Sequence, residues 1–228
     1  EKQIENLEKI GAETAEIPLY ELDVICGKKI IQDELKLLKK ITRKSNLNFS
    51  IHGSMSVNLL DKDYLEDHLE VLKREIEVCS DLNTNILVTH FGHTSVETSK
   101  NKKKYDDLIN IQKQKYFEMA EIAKVYGVKL CIENIFPYTN LHFTALPSEV
   151  SDNIREIDHP NARTTIDFSH AYINCNLRNK NLISEIETMV PFTEHLHVHD
   201  SFGKYKTMYT YIFAEDITYG QGDIHLPL

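Results

Sequence analysis

His52, His90, Glu133, Asp167 and His197 each follow or end a short apolar run, and Asp223 and His225 close the same series. Imidazole and carboxylate together are the donor set that zinc, manganese and related divalent ions accept. The two carboxylates carry the argument furthest. Glu133 in Ile132-Glu133-Asn134 and Asp167 in Thr165-Ile166-Asp167 end strands that otherwise read as buried, with no Lys or Arg offered on the same face. A buried carboxylate is costly unless paired, hydrogen-bonded or bound to a cation, so a metal is the expected partner. For Asp167 the competing reading is an N-terminal cap of the helix that follows. A single histidine at a strand end is more often a hydrogen-bonded core residue than a ligand. Here His52, His90, His170 and His197 all sit beside strand ends, and His170 lies three residues beyond Asp167. In His195-Leu196-His197-Val198-His199-Asp200 the strand period puts His195, His197 and His199 on one face. His197 is the expected ligand, His199 a contact to substrate or to a ligand, and His195 packs deeper.

Residues so distant in sequence meet only if their strands lie parallel with their carboxyl ends together. Helix and strand do alternate along the chain without a long Pro, Gly or Ser linker, which predicts a parallel sheet covered by helices. A helix over 1–10, stopped by Gly11, precedes a strand over 13–17. A helix over 30–43, with Leu35, Leu38 and Ile41 at helical spacing, precedes 47–51 and His52. Asp61 to Asp63 offer caps for a third helix, whose Leu65, Leu69, Leu72, Ile76 and Cys79 form one stripe, and 86–89 then ends at His90. A helix over 105–126 ends at Gly127, a residue free to take the left-handed conformation. Strand 128–132 leads to Glu133, helix 148–157 to strand 162–166 and Asp167, and helix 182–190 to strand 195–198. Six strands are legible where a closed barrel has eight, so one is expected before Glu1 and one after Leu228. An open sheet is the less favoured architecture. Lys100 to Lys104 reads as a basic loop approaching a helix, ahead of any phosphate-binding role.

A chain of 228 residues with 41% hydrophobic and 27% charged residues fits one soluble α/β domain spanning 1–228. No apolar run is long enough to cross a bilayer, and no secretory signal is visible although the first residue is Glu. A net charge of −9 repels phosphate backbones, which disfavours nucleic acid without a local basic patch or bound cations. Cys26, Cys79, Cys131 and Cys175 are widely spaced without a CxxC pair and read as reduced thiols of a cytoplasmic protein.

Taken in order, these segments resemble the xylose isomerase-like barrel superfamily, which includes sugar phosphate isomerases and epimerases as well as endonuclease IV. His52-Gly-Ser-Met-Ser-Val-Asn58-Leu59 resembles the endonuclease IV segment in which a ligand His precedes Ser and Asn-Leu. His90-Phe-Gly resembles its second histidine and Glu133-Asn134 its bridging glutamate. Asp167-Phe-Ser-His170, His197-Val-His-Asp200 and Asp223-Ile-His225-Leu-Pro-Leu resemble the remaining ligand motifs. The resemblance implies a TIM (β/α)8 barrel whose first and last strands lie outside these residues. It also implies one to three divalent ions, Zn2+ or Mn2+, held by His52, His90, Glu133, Asp167, His170, His197, Asp223 and His225. A further ligand, a glutamate on the last strand, would lie beyond Leu228.

Where endonuclease IV handles DNA the chain departs: Met55 replaces an aromatic residue, Ile135-Phe-Pro-Tyr138 replaces Gly-Gln-Gly, and no Arg-rich loop is evident. The isomerase and epimerase branch shares Glu133, Asp167, His170 and His197. The activity expected is therefore a metal-dependent isomerisation or epimerisation of a small sugar or sugar phosphate through an enediolate-like state. Glu133 would be its catalytic carboxylate, paired with the last-strand glutamate, and Asn134, His199 and Asp200 its substrate contacts. The alternative is a zinc phosphodiesterase of the endonuclease IV type, which the extra donors Asp223 and His225 favour. A non-catalytic ligand-binding barrel is the third and least favoured class. Tyr205, Tyr209, Tyr211, Phe213 and Tyr219 form an aromatic loop, expected either as a lid or homo-oligomer contact or as packing on the barrel rim. Met189 and Met208 read as packing alone.

Overall fold

In the computed structural model, which describes residues 2–226 apart from the side chain of Phe213, all six apolar runs are strands. They are β1 (Thr14–Pro18), β2 (Asn48–His52), β3 (Ile86–His90), β4 (Lys129–Glu133), β5 (Ala162–Asp167) and β6 (Thr193–His197). Each pairs in parallel with the next, so spatial order follows chain order. The helices are α1 (Lys2–Lys9), α2 (Gln32–Thr42), α3 (Leu65–Asp81), α4 (Val96–Lys100), α5 (Lys102–Val125), α6 (Pro147–Ile157), α7 (Phe168–Leu177), α8 (Leu182–Met189) and α9 (Phe213–Tyr219).

Strand alternation divides the sheet into two faces. Ile51, Leu87, Leu130 and Ile132 share one buried cluster with Leu35 of α2, Leu72 and Ile76 of α3, Ala120 of α5 and Val150 and Ile154 of α6. Each fully buried aliphatic side chain contributes about 1.5–3 kcal/mol. The opposite face carries Ser50 and Thr165 and, at the strand ends, His52, His90, Glu133 and Asp167, all buried. Pairing aligns His90 with Glu133 and Asp167 with His197. Although β1 and β6 are the edges of the sheet, His195 of β6 reaches Glu16 of β1 at 2.9 Å, so the sheet curls far enough for its edges to meet. The chemistry-bearing residues thus gather at the carboxyl ends of a curled parallel sheet.

Several expectations need correction. The basic run is helical rather than a loop: α4 ends at Lys100, and Asn101 caps α5 by accepting from the Lys104 amide. The Asp61 carboxylate accepts from the Asp63 and Tyr64 amides, making a turn before α3 instead of capping it. Helix α7 escapes sequence reading because polar Ser169, His170 and Asn174 are buried while Tyr172 and Leu177 are exposed, which erases the 3.6-residue period. Two short antiparallel pairs, Ile25–Cys26 with Lys29–Ile30 and His93–Ser95 with His142–Thr144, also escaped sequence reading. Strand β6 starts at Thr193, before the expected 195, and carries a register shift against β5. Gly127 does take the left-handed conformation, with φ of 70°. Glu1 of the first expected helix and Pro227-Leu228 of the last motif lie outside the described residues.

The four cysteines are free, and burial pushes the Cys79 and Cys131 thiols up to about 12, leaving them unreactive. Among the described residues no helix is long and apolar enough to cross a membrane. Met189 is fully buried in the core, whereas Met208 is exposed. Tyr209 and Tyr211 are 78% and 86% exposed, so of the two alternatives these two rings do not take packing on the rim, whereas the Tyr205 hydroxyl is buried. Lys206 and Asp216 are what this loop contributes to the cleft below it.

Candidate metal centre

The carboxyl ends of the strands open into a cleft of about 740 Å³. At its floor Glu133, only 1% exposed, is met on both oxygens by imidazoles from other elements. Its Oε1 lies 3.1 Å from His197 Nδ1 and 3.2 Å from His170 Nδ1. Its Oε2 faces His52 Nε2 at 3.4 Å and His90 Nε2 at 3.5 Å, yet makes no hydrogen bond. Burial pushes the Glu133 carboxyl up, but the imidazoles of His170, His197 and His52 around it outweigh burial and hold the group well below its ordinary range.

Asp167 serves both readings offered by the sequence. Its Oδ1 accepts from the His170 amide at 2.7 Å, capping α7, while Oδ2 faces the cleft, 3.1 Å from His199 Nε2 and 3.7 Å from His197 Nδ1. Asp223 lies between His225 Nε2 at 2.9 Å and His170 Nε2 at 3.2 Å, and Ser169 Oγ donates to it at 3.3 Å. Among the described residues three donor groups are built from the expected ligands, each with its ligand atoms within 4.8 Å of one another: His52, His90 and Glu133; Glu133, Asp167 and His197; and His170, Asp223 and His225; a fourth joins Glu16, His195 and His197. Every residue expected as a metal ligand falls in one of them, and Glu133 is shared by two.

The residues fit a divalent cation on two counts. One is the Glu133 Oε2 atom, buried without a hydrogen bond. The other is the protonation pattern the surroundings impose on the rings. His52 Nδ1 donates to the Gly53 carbonyl at 2.9 Å and His170 Nδ1 to the Asn134 carbonyl at 3.0 Å. A carbonyl can only accept, so each neutral ring keeps its lone pair on the Nε2 that faces a carboxylate. Lone pairs facing carboxylates repel unless a proton or a metal ion lies between them. In the bare protein protons take that place: against the lowering effect of burial, Glu133 and Glu16 hold His197 up to about 10, and Asp167, Asp223 and Glu133 hold His170 well above its usual value. His52 is raised by Glu133, against burial. For His90 burial prevails and lowers it to about 4, so that ring is neutral at pH 7 and ready to ligate.

Two expected substrate contacts lie elsewhere. Asn134, 1% exposed, donates from Nδ2 to the Asp167 carbonyl at 2.9 Å and accepts the Asp167 amide on Oδ1 at 3.0 Å. It ties β4 to β5 and sets the height of Asp167. Asn134→Ala is expected to lower the unfolding free energy by about 1–3 kcal/mol in urea titration, because two backbone groups lose buried partners. Asp200 is exposed and outside the cleft: its side chain accepts from the Ser201 amide, and its backbone pairs with Leu226 to anchor the segment carrying Asp223 and His225. His199 does line the cleft, and its Nδ1 has no hydrogen-bond partner.

Sequence reading overlooked Glu16. It sits two residues before the end of β1, one layer below the strand tips, and contacts both His195 and His197. The available signal was alternation, since buried Ala15 and Ile17 face outward to the helices and leave Glu16 facing inward. Tyr138, from the segment that replaces Gly-Gln-Gly, places its hydroxyl 3.3 Å from His90 Nδ1, and the Phe136 ring lies 4.9 Å from that of His170.

A family model described as xylose isomerase-like TIM barrel matches residues 4–228. An uncharacterized protein of Methanocaldococcus jannaschii is 24% identical over 157 residues, covering 69% of this chain and 53% of that protein, so the chain spans about half the length of that relative. Among solved structures, a D-tagatose 3-epimerase-like protein superposes with a TM-score of 0.69 at 19% identity, covering 88% of this chain and 72% of its own. The D-psicose 3-epimerase of Clostridium cellulolyticum H10 gives 0.67 at 18% identity, with 96% and 76% covered. The 3-keto-D-glucoside 4-epimerase of E. coli gives 0.67 at 14% identity, with 95% and 80% covered. At these identities the likeness speaks to the fold. With nearly its whole length matched by that model, the chain belongs to the xylose isomerase-like TIM-barrel family.

Proposed function

We propose that the cleft is the active site of a divalent-metal-dependent isomerase or epimerase of a small sugar or sugar phosphate. One observation carries the metal dependence: Glu133 presents both oxygens to imidazole nitrogens from separate strands, and Oε2 has no hydrogen bond. Such a carboxylate suits a ligand shared between ions, with His52 and His90 on one side and Asp167 and His197 on the other. A cation there supplies Lewis-acid polarisation of a carbonyl or hydroxyl. The cleft volume, about 740 Å³, accommodates a monosaccharide, and Tyr20, Met55, Phe136 and Tyr138 give it apolar walls. The names of the structural relatives, all sugar epimerases or like them, support the substrate class.

Hemmed in by imidazoles and held at low basicity, Glu133 is better suited to hold cations than to carry protons. His199 lines the same cleft, with Nε2 3.1 Å from Asp167 Oδ2, and offers an imidazole for moving a proton.

A second reading, metal-dependent phosphodiester hydrolysis, is favoured by the third donor group of His170, Asp223 and His225. Against it, the one lysine lining the cleft among the described residues, Lys206, is already paired with Asp216 at 3.0 Å. The Mn2+- or Zn2+-loaded protein, incubated with ketohexoses and aldopentoses in D2O, is expected to incorporate deuterium beside the sugar carbonyl, read by proton NMR. Hydrolysis of bis(p-nitrophenyl) phosphate without any such exchange would transfer the assignment to the second reading.

A further inference from the structure

Glu16 stands outside the three donor groups but touches one of their members. Its side chain is 27% exposed and its two oxygens surround one edge of His197: Oε1 lies 3.1 Å and Oε2 3.2 Å from His197 Nε2. Oε2 also accepts from His195 Nε2 at 2.9 Å and from Ser50 Oγ at 3.4 Å. Because β1 and β6 are the two edge strands, this carboxylate joins the two sides of the curled sheet just beneath the site.

The consequence for His197 follows from ring chemistry. A carboxylate can only accept, so it fixes the proton of a neutral imidazole on Nε2 and leaves the lone pair on Nδ1. Nδ1 is the atom 3.1 Å from Glu133 Oε1 and 3.7 Å from Asp167 Oδ2. A histidine held in this way has its ring plane set before a cation arrives and gives up the Nδ1 proton when one binds, and the carboxylate makes it a more basic ligand. We propose that Glu16 is a positioning residue that orients His197 so that Nδ1 faces a divalent cation, with His195 steadying Glu16 from below. The proposal rests on reading Glu133, Asp167 and His197 as a cation site.

Glu16, His195 and His197 also satisfy the distance condition for a cation group of their own. Positioning explains them better. A cation there would take the Nε2 edge of a ring whose Nδ1 edge already meets two other carboxylates, and Glu16 Oε2 already accepts from both His195 and Ser50.

Zn2+ is the probe, because it is diamagnetic and binds imidazole and carboxylate alike. In the full chain labelled with 15N-histidine and loaded with Zn2+, long-range proton–nitrogen correlations are expected to show zinc on Nδ1 and a proton on Nε2 of His197. Zinc on Nε2 overturns the proposal without recourse to any variant. Chelator competition is expected to show Zn2+ binding weakened about 10- to 100-fold in Glu16→Gln, with the same number of ions bound. Unchanged affinity in that variant overturns it. Loss of one whole ion from Glu16→Gln, with the others bound as tightly as before, overturns it in favour of a separate cation at Glu16. A different result strikes the underlying reading alone: Asp167→Asn binding as many ions as tightly as the wild type means that no cation sits between Asp167 and His197.

Discussion

Glu133→Gln is expected to weaken divalent-cation binding at least about 100-fold and to abolish turnover, because the shared ligand carries more of the centre than any second-sphere residue, whose loss costs about 10- to 100-fold. An amide has the same shape but one weak acceptor oxygen and no charge, so neither neighbouring donor group keeps its anionic bridge. The bare protein should suffer as well. At neutral pH protonated His197 and His170 lean on Glu133, and removing one partner of a buried ion pair costs about 3–5 kcal/mol. For a domain of this size that lowers the melting temperature by roughly 6–20 °C, read by calorimetry of the metal-free protein. The two readouts separate two roles. A carboxylate serving only as a proton carrier would lose turnover on conversion to Gln yet keep its cations.

The second large effect concerns pH and follows from the same imidazoles. His197 is raised to about 10 and His52 is raised as well, in both cases by carboxylates that outweigh burial. A raised histidine stabilises the fold fully below the unfolded value near 6.5, and that stability is lost as pH rises through the folded value. Glu16 behaves oppositely. Burial would raise it, but His195 and His197 lower it to about 2, so its contribution is present above about 4.5 and lost as pH falls toward 2. His90, lowered to about 4 by burial, adds a penalty below about 6.5, where the unfolded chain binds a proton that the folded one does not. The metal-free protein is therefore expected to melt progressively lower from pH 7 to pH 10. Zn2+ or Mn2+ must displace protons from His197 and His52, so the gain in melting temperature on adding metal grows over the same interval. Melting curves of the metal-free and loaded protein at pH 6, 7, 8 and 9 check both slopes. A stabilisation by metal that stays flat from pH 6 to 9 would mean the ions displace no imidazole protons.

Much of the barrel was legible because its signal is local. Each strand is a short apolar run that ends in a polar residue, and alternation of helix and strand leaves few topologies open. The ligands were legible for the same reason: a Glu or Asp at the end of a buried run has no cheap alternative to a partner. What escaped was non-local. Glu16 and His195 lie one layer below the strand tips, and their pairing depends on how tightly β1 and β6 curl toward each other, which no window of sequence reveals. Asn134 and Asp200 stood beside ligands in sequence, but strand geometry turned one into a backbone tie and the other toward solvent. Helix α7 was hidden because it buries polar Ser169, His170 and Asn174 and exposes Tyr172 and Leu177, so it lacks the polar stripe by which helices are recognised.

The central claim is that Glu133 is shared between divalent cations held by histidines and carboxylates of different strands. Anomalous diffraction at the zinc edge from crystals of the Zn2+-loaded protein tests it most directly. The geometry predicts peaks on both sides of Glu133, within about 2.3 Å of its oxygens, one ligated by His52 and His90 and the other by Asp167 and His197. A single peak elsewhere, or none within coordination distance of Glu133, would contradict the account.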